Sequence, residues 1–390
     1  MEGDLRGPDR SRGEITEDGI AALRAIDGMG LEPLILGYHP IARMNPFHQL
    51  LYQRAWEAGV APLPVVRAER IDELTELARL GFSVLLHLHW LNMIFGRASS
   101  TREGRRARDR FLARLDRHRA AGGRIAWTVH NILPHGTVDE AEEAALRSAV
   151  VERADVVHLM AARTAELVRS WYTIPDDKIL HVPHPSYAGA YEDVISREQA
   201  RYELGLEQDE LVYLVVGSIK PYKGLRELLD AWEAMPARGG PRRLVIAGAP
   251  GPEASVAEAV ERCARMPTVL VHPRLIAASE MQVFMRAADI AVLPYLRTLN
   301  SGILMLALTF GLPVVVPDEG ALTDIVTPSF ARTFGPDDPT ALVEALMAAA
   351  ELRTPEARRA ALAVADDHAP AKLSLRFATG LREKLGLRVG

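Results

Sequence analysis

A single cysteine, Cys263, in 390 residues leaves no internal disulfide and no thiolate metal cluster, a pattern that suits a reducing compartment. No apolar run reaches the roughly 18 residues of a membrane span. The longest, GILMLALTFGLPVVV, is broken by glycine and proline and suits a buried helix followed by a buried strand. The opening MEGDLRGPDRSRGE alternates charges and lacks an apolar core, so a flexible arm over 1–27 is expected rather than a secretory signal. A cytoplasmic protein follows from these readings. No H-x-x-x-H or histidine–carboxylate signature is present, so no metal is expected. A net charge of -5 argues against nucleic acid as the partner. Lysine is scarce, five against 41 arginines, and two of the five, Lys220 and Lys223, follow one buried strand.

What is present is a repeating α/β pattern. A chain of this length exceeds one core, and short apolar runs alternate with helical patterns along nearly all of it. Strands are predicted at 31–38, 61–66, 83–89, 124–130, 155–160 and 178–183, then at 211–217, 242–248, 268–272, 289–294 and 312–317. Their continuous apolar character predicts parallel sheets covered on both faces. Helix starts are predicted at Asn45-Pro46, at a Thr137–Glu140 capping box, at Asp338-Pro339 and at Thr354-Pro355. The fold expected is α/β, two doubly wound Rossmann-like domains facing across a cleft. The first covers 28–190 and the second 205–370, with the boundary between Pro185 and Gln208. A C-terminal helix in 371–390 is expected to lie across the first domain.

Candidate chemistry gathers at strand ends. In the second half the turn Gly217-Ser218-Ile219-Lys220-Pro221-Tyr222-Lys223-Gly224 joins a strand to a helix. Lysines there, with free backbone N–H groups, can hold a phosphate. Asn300-Ser301-Gly302 precedes a helical run and offers close approach of an anion to its first amides, unless Ser301 serves only as a cap. His272 and Arg274 end a strand that either lines a base or ribose pocket or is an ordinary loop. Asp318 and Glu319 end another, and either bind sugar hydroxyls or cap a helix.

In the first half, His87 and His89 point to one side of their strand. His87 reads as a satisfied core histidine. His130, followed by Asn131 and the polar loop NILPHGT, is placed to bind a sugar hydroxyl or move a proton. Asn45 and His48, after the first strand, bring polar groups to where an acceptor would sit. His184 and Tyr187, in HVPHPSY, mark the hinge between halves. The basic segment 96–119 is either a solvated helix face or a patch for anionic lipid or a diphosphate-bearing acceptor.

The run from VVGSIKPYKG through VLVHPRL and AADIAVLPY to SGILMLALTFGLPVVVPDEG resembles the nucleotide-sugar glycosyltransferases of the two-Rossmann-domain (GT-B) type. The likeness is to family 4 and to bacterial exopolysaccharide glycosyltransferases. It implies that Lys223 holds the donor diphosphate, that Asn300 to Gly302 approaches the donor phosphates, and that His130 contacts the transferred sugar. It implies no cofactor and no metal, since lysine and helix termini supply the positive potential.

Two departures stand out. Ser218 occupies the place of the usual arginine, for which Lys220 is the available substitute. Thr298 and Leu306 occupy the places of the family's glutamate pair, so the resemblance does not decide between retention and inversion. His130 and His89 are the candidate bases if the reaction inverts.

The activity implied is transfer of a hexose from GDP-mannose or a UDP- or dTDP-hexose to a glycan, lipid-linked or small-molecule acceptor, with peripheral contact at the inner face of a membrane. A sugar-nucleotide epimerase, a phosphorylase and a non-catalytic nucleotide-sugar-binding protein are the alternatives.

Overall fold

The computed structural model describes residues 21–42, 45–95, 100–133, 139–236 and 240–388. The chain forms two compact units. One takes the described residues up to Met160, then Ala165–Pro183, and returns for those from Ala371 onward; the other takes Ala161–Thr164 and His184–Pro370. His184 and its neighbours go with the second unit because their backbone is tied there. Ser186 N–H donates to His368 O (2.8 Å) and Tyr187 N–H to Thr309 Oγ1 (2.9 Å).

The first unit is a six-stranded sheet in the order β2-β1-β3-β4-β5-β6, all parallel. Its strands are β1 (Leu34–His39), β2 (Val60–Pro64), β3 (Val84–Leu88), β4 (Arg124–Thr128), β5 (Val156–Leu159) and β6 (Ile179–His181). Every residue of β3 and β5 is buried, as expected of strands covered on both faces. Leu34, Leu36, Leu85, Ala126 and Val156 pack with Phe47 and Leu51 of the helix Phe47–Tyr52. Leu373, Phe377 and Leu381 of the last helix, Pro370–Lys384, complete the same cluster. Burial of such a side chain contributes roughly 1.5–3 kcal/mol.

The second unit repeats the plan with the order β12-β11-β10-β7-β8-β9. Its strands are β7 (Leu211–Val216), β8 (Arg242–Ala247), β9 (Val269–His272), β10 (Ile290–Val292), β11 (Val314–Pro317) and β12 (Ala331–Phe334). The last of these was not predicted. ARTF carries no apolar run, and as an edge strand it draws its place from pairing with β11 rather than from burial. In each unit the chain winds one way from its first strand and then reverses. The reversal falls between β1 and β3 and again between β7 and β10. Ligands of open α/β sheets bind outside the carboxyl ends of the strands at such switch points.

Local signals account for most helix starts. Asp338 accepts from Thr340 N–H (2.8 Å) and Thr354 Oγ1 from Ala357 N–H (3.1 Å). Asn45 Oδ1 accepts from Phe47 N–H (3.0 Å) at the start of Phe47–Tyr52. The expected Thr137–Glu140 box begins outside the described residues, and the helix Glu140–Arg153 is capped by Asp139 accepting from Glu142 N–H (3.1 Å). The arm expected over 1–27 also lies largely outside them, but 21–28 are helical and Ile26 is fully buried, so its last residues are part of the fold.

Candidate functional site

In the second unit the turn after β7 folds its lysine back over the strand end. Pro221–Lys223 forms a single helical turn and Gly224 then starts the helix Leu225–Ala234. Gly224 has φ +67, and a Cβ there would lie 1.8 Å from Pro294 O, so only glycine lets the helix start pass beneath the segment following β10. A Cβ at Gly217 would meet Lys223 Nζ at 3.3 Å and Ile303 Cδ1 at 3.2 Å. The amine and the start of the helix Gly302–Thr309 therefore converge on one glycine. Lys223 Nζ also stands 5.7 Å from the ring centre of Tyr295. Burial pulls its pKa down to about 8, and no ion pair among the described residues involves it. A half-buried cation with no counter-charge beside it invites an anion.

Ser301 caps the helix Gly302–Thr309, accepting from Leu304 N–H (3.1 Å), and lies 3.4 Å from Tyr295 OH. Capping by Ser301 leaves the first-turn amides of Gly302 and Ile303, which an α-helix does not use internally. A Cβ at Gly302 would fall 2.4 Å from Tyr187 OH and 3.6 Å from His184 Nε2. His184 is buried, its pKa lowered to about 4, and its ring stacks with Tyr187 (5.8 Å, 26°). Asn300 Nδ2 is closed to solvent and has no partner among the described residues.

The remaining second-unit candidates divide. Ser218 is exposed. Lys220 points away from Lys223's role: its ammonium is 3.9 Å from Glu253, and it lines a cavity of about 250 Å³ with Tyr222, Arg226 and Ser255. As a stand-in for the missing arginine it is therefore already partnered. Arg274 is exposed and held by both carboxylate oxygens of Glu280 (2.8 and 2.5 Å). His272 Nε2 is buried with no partner among the described residues.

Asp318 and Glu319 are exposed at the end of β11, and the 3-10 turn Leu322–Asp324 that follows has no side-chain cap, so capping is not their task. Their loop packs on Thr298, whose carbonyl would lie 2.3 Å from a Cβ at Gly320. Leu306 is buried, and Thr298 donates to Asn300 O (3.1 Å). Asp318 and Glu319 are thus carboxylates on the loop that meets one of the two positions lacking a glutamate.

In the first unit the ring of His130 is clamped. Trp90 stacks on it (4.1 Å, 19°), Phe47 meets it edge-on (5.0 Å, 75°), and its Nε2 is 3.0 Å from His89 Nδ1. Asn131 beside it is half-buried. The loop residues 134–138 lie outside the described residues. His89 is a correction to the expectation of a second base. It is buried, its nitrogens lie against His130 and Tyr52 OH (2.8 Å), and burial holds its pKa well below the usual histidine range. It meets its surroundings through His130.

His48 is likewise shut in, 4.3 Å from the His89 ring, with both ring nitrogens lacking a partner among the described residues and burial lowering its pKa to about 3. That is at odds with its expected contact to an acceptor. Asn45 remains half-buried at the helix start. The sequence reading missed Thr128, Tyr295 and His158, whose only signal was a polar side chain in or beside a buried strand, and Tyr52, at the end of the helix Phe47–Tyr52.

Part of the basic segment, 96–99, lies outside the described residues. In the helix Thr101–Ala120, Arg105 and Arg108 pair with Glu142, and Arg114 and Arg117 with Asp72. Much of its charge is thus spent on neighbouring helices. Among the described residues no group of three or more His, Cys, Asp or Glu is placed to hold a metal ion, and no helix is long and apolar enough to cross a membrane.

Residues 210–351 match the family described as Glycosyl transferases group 1. The chain is 27% identical over 314 residues to a GDP-mannose:glycolipid 4-beta-D-mannosyltransferase of Xanthomonas campestris pv. campestris, covering 79% of this chain and 80% of that one. A D-inositol 3-phosphate glycosyltransferase of Segniliparus rotundus is 35% identical over 161 residues, 39% of this chain and 35% of its own. Among solved structures, Anabaena Alr3699/HepE in complex with UDP superposes with a TM-score of 0.67 at 12% identity, covering 90% of this chain and 100% of that one. Sucrose-phosphate synthase from Thermosynechococcus elongatus gives 0.65 at 16%, with 91% and 99% covered.

Proposed function

This chain is a GT-B-fold glycosyltransferase that moves a hexose from a nucleoside-diphosphate sugar to an acceptor, and we propose that the donor is GDP-mannose and the acceptor a lipid-linked glycan. The observation that carries the donor side is the half-buried amine of Lys223, without an ion-pair partner among the described residues, set over Gly217 beside the start of the helix Gly302–Thr309. Two adjoining phosphates suit that arrangement, one on the ammonium and one on the helix amides. The choice of GDP-mannose and of a lipid-linked acceptor rests on the mannosyltransferase that is similar over four-fifths of the chain.

The reaction we propose inverts. Leu306 and Thr298 offer no carboxylate to the donor sugar, while the first unit presents a histidine held in one orientation by Trp90 and Phe47. The acceptor oxygen attacks the anomeric carbon as His130 takes its proton. The bond from that carbon to the diphosphate breaks, and its electron pair leaves with the nucleoside diphosphate, which Lys223 and the Gly302 and Ile303 amides stabilise. Asp318 and Glu319 are the carboxylates we assign to the donor's sugar hydroxyls.

Work at a membrane also belongs to this reading. Arg102, Arg106 and Arg110 are exposed along one face of the helix Thr101–Ala120, and we assign them to anionic lipid at the cytoplasmic surface.

The test is direct. The purified chain is titrated with GDP-mannose, UDP-hexoses and dTDP-hexoses, and release of free nucleotide is followed with and without a lipid-linked oligosaccharide. Acceptor-dependent release from GDP-mannose alone supports the assignment. Binding without turnover on any acceptor points to a binding protein, and sugar isomerisation without transfer to an epimerase.

A further inference from the structure

Five polar side chains buried in the first unit form one continuous line. It starts at Val182 O, 2.8 Å from His158 Nε2, and passes from His158 Nδ1 to Thr128 Oγ1 at 2.9 Å. Thr128 Oγ1 is 2.7 Å from His87 Nε2, and His87 Nδ1 is 2.6 Å from Tyr52 OH. Tyr52 OH then reaches His89 Nε2 at 2.8 Å, and His89 Nδ1 reaches His130 Nε2 at 3.0 Å. Every member between Val182 and His130 is at most 5% exposed. The line crosses β5, β4 and β3 and, among the described residues, reaches the half-buried ring of His130.

Its sense follows from donor and acceptor inventory. A carbonyl only accepts, so His158 Nε2 carries the hydrogen and, in a neutral ring, Nδ1 accepts. Thr128 must then spend its one hydrogen on His158 and accept from His87 Nε2. His87 Nδ1 accepts from Tyr52, whose oxygen accepts from His89 Nε2. That leaves His89 Nδ1 bare, and His130 Nε2 must be the donor to it.

A cationic ring inside the line would reverse its sense beyond that point. The surroundings oppose one. The last helix lays Phe377 flat on His87 (5.3 Å, 16°) and within 4.9 Å of His158, and an imidazolium sealed under an apolar ring is far costlier than a neutral one. Burial also keeps His87 and His89 well below the usual histidine range.

We propose that this buried line of hydrogen bonds holds His130 as the Nε2–H tautomer, so that Nδ1 is its lone-pair nitrogen and the atom that takes a proton from a substrate hydroxyl. His89, Tyr52, His87, Thr128 and His158 are then positioning residues acting through His130. The tautomer follows from the line alone; its use as a base rests on the transferase reading.

The experiment is two-bond ¹⁵N–¹H correlation spectroscopy of the full chain labelled at histidine, at neutral pH, with His130 identified by the signal lost in His130→Gln. The expected result is an Nε2–H pattern for His130. Thr128→Val, which removes the hydroxyl while keeping the branched shape, should release it into a mixture of tautomers, and Thr128→Ser should restore it. Tyr52→Phe is a second cut in the same line, so one variant suffices if the other fails to fold. An Nδ1–H or doubly protonated His130 in the native chain would overturn the proposal, as would an unchanged Nε2–H pattern in both Thr128→Val and Tyr52→Phe. For the role, kcat should fall about tenfold in Thr128→Val with KM little changed, and recover in Thr128→Ser. Full turnover in His130→Gln would instead sink the transferase role of His130 and leave the tautomer standing.

Discussion

Lys223 turns a scarcity of lysine into chemistry. Its pKa in the folded chain, about 8, lies below the ordinary 10.5, so folding is penalised while the amine is charged. Below pH 8 both folded and unfolded chains carry the proton and the penalty is complete. As pH rises from about 8 toward 10.5 the folded chain sheds its proton first, and the penalty lifts. Lys223→Met should therefore raise Tm at pH 7 and have a smaller effect at pH 10, while weakening donor binding roughly 10- to 100-fold, the worth of a charge-assisted contact. Calorimetry at both pH values and nucleotide-sugar titration check it, and unchanged binding would remove Lys223 from the donor site.

Gly302 is tested by a pair of substitutions. Gly302→Ala sets a methyl against Tyr187 OH and should cost about 1–3 kcal/mol and weaken donor binding. Adding Tyr187→Phe, which vacates that space, should return part of both losses in a double-mutant cycle.

At the scale of elements, the βα repeat was legible wherever a strand was mostly apolar, as in LVYLVV and VLLHL. It was silent at β12, whose existence depends on an edge left open by β11. The last helix was legible as amphipathic, but its cargo was not: Phe377 closes the histidine line of the first unit. Phe377→Ala should cost about 3–5 kcal/mol by urea unfolding. The basic helix shows the opposite case: of charges that read as either a solvated face or a patch, Arg105, Arg108, Arg114 and Arg117 pair with neighbouring helices. Its exposed face remains testable. Arg102, Arg106 and Arg110 changed together to Glu should reduce co-sedimentation with vesicles containing anionic lipid, with donor affinity unaltered.

Over the whole molecule, two sheets of the same design each reverse direction once; Lys223 and Ser301 follow the two strands at the second sheet's reversal, while His130 follows β4, next to the first sheet's reversal. A donor that binds only the folded chain should stabilise it by about 2.7 kcal/mol at a hundredfold excess over Kd. GDP-mannose should thus raise Tm more than UDP- or dTDP-hexoses at equal concentration. Product NMR should show the anomeric configuration opposite to the donor's, and retention would exclude His130 as the base of a single displacement.

The sequence by itself determined the α/β class, the number of winding units, and the strand-to-helix turn at Gly217 to Gly224. Those features are local: apolar runs, breakers and glycines act within a few residues of one another. What only the tertiary structure decided is which polar groups meet. Lys220 and Lys223 look alike in the turn, yet one turns to Glu253 and the other over Gly217. His87, His89 and His130 are alike as strand-end histidines, yet a hydrogen-bond line begun at Val182 makes the first two internal and leaves His130 at its end. Hydrogen-bond sense and desolvation are set by neighbours far apart in the chain, and no spacing of residues along it encodes them.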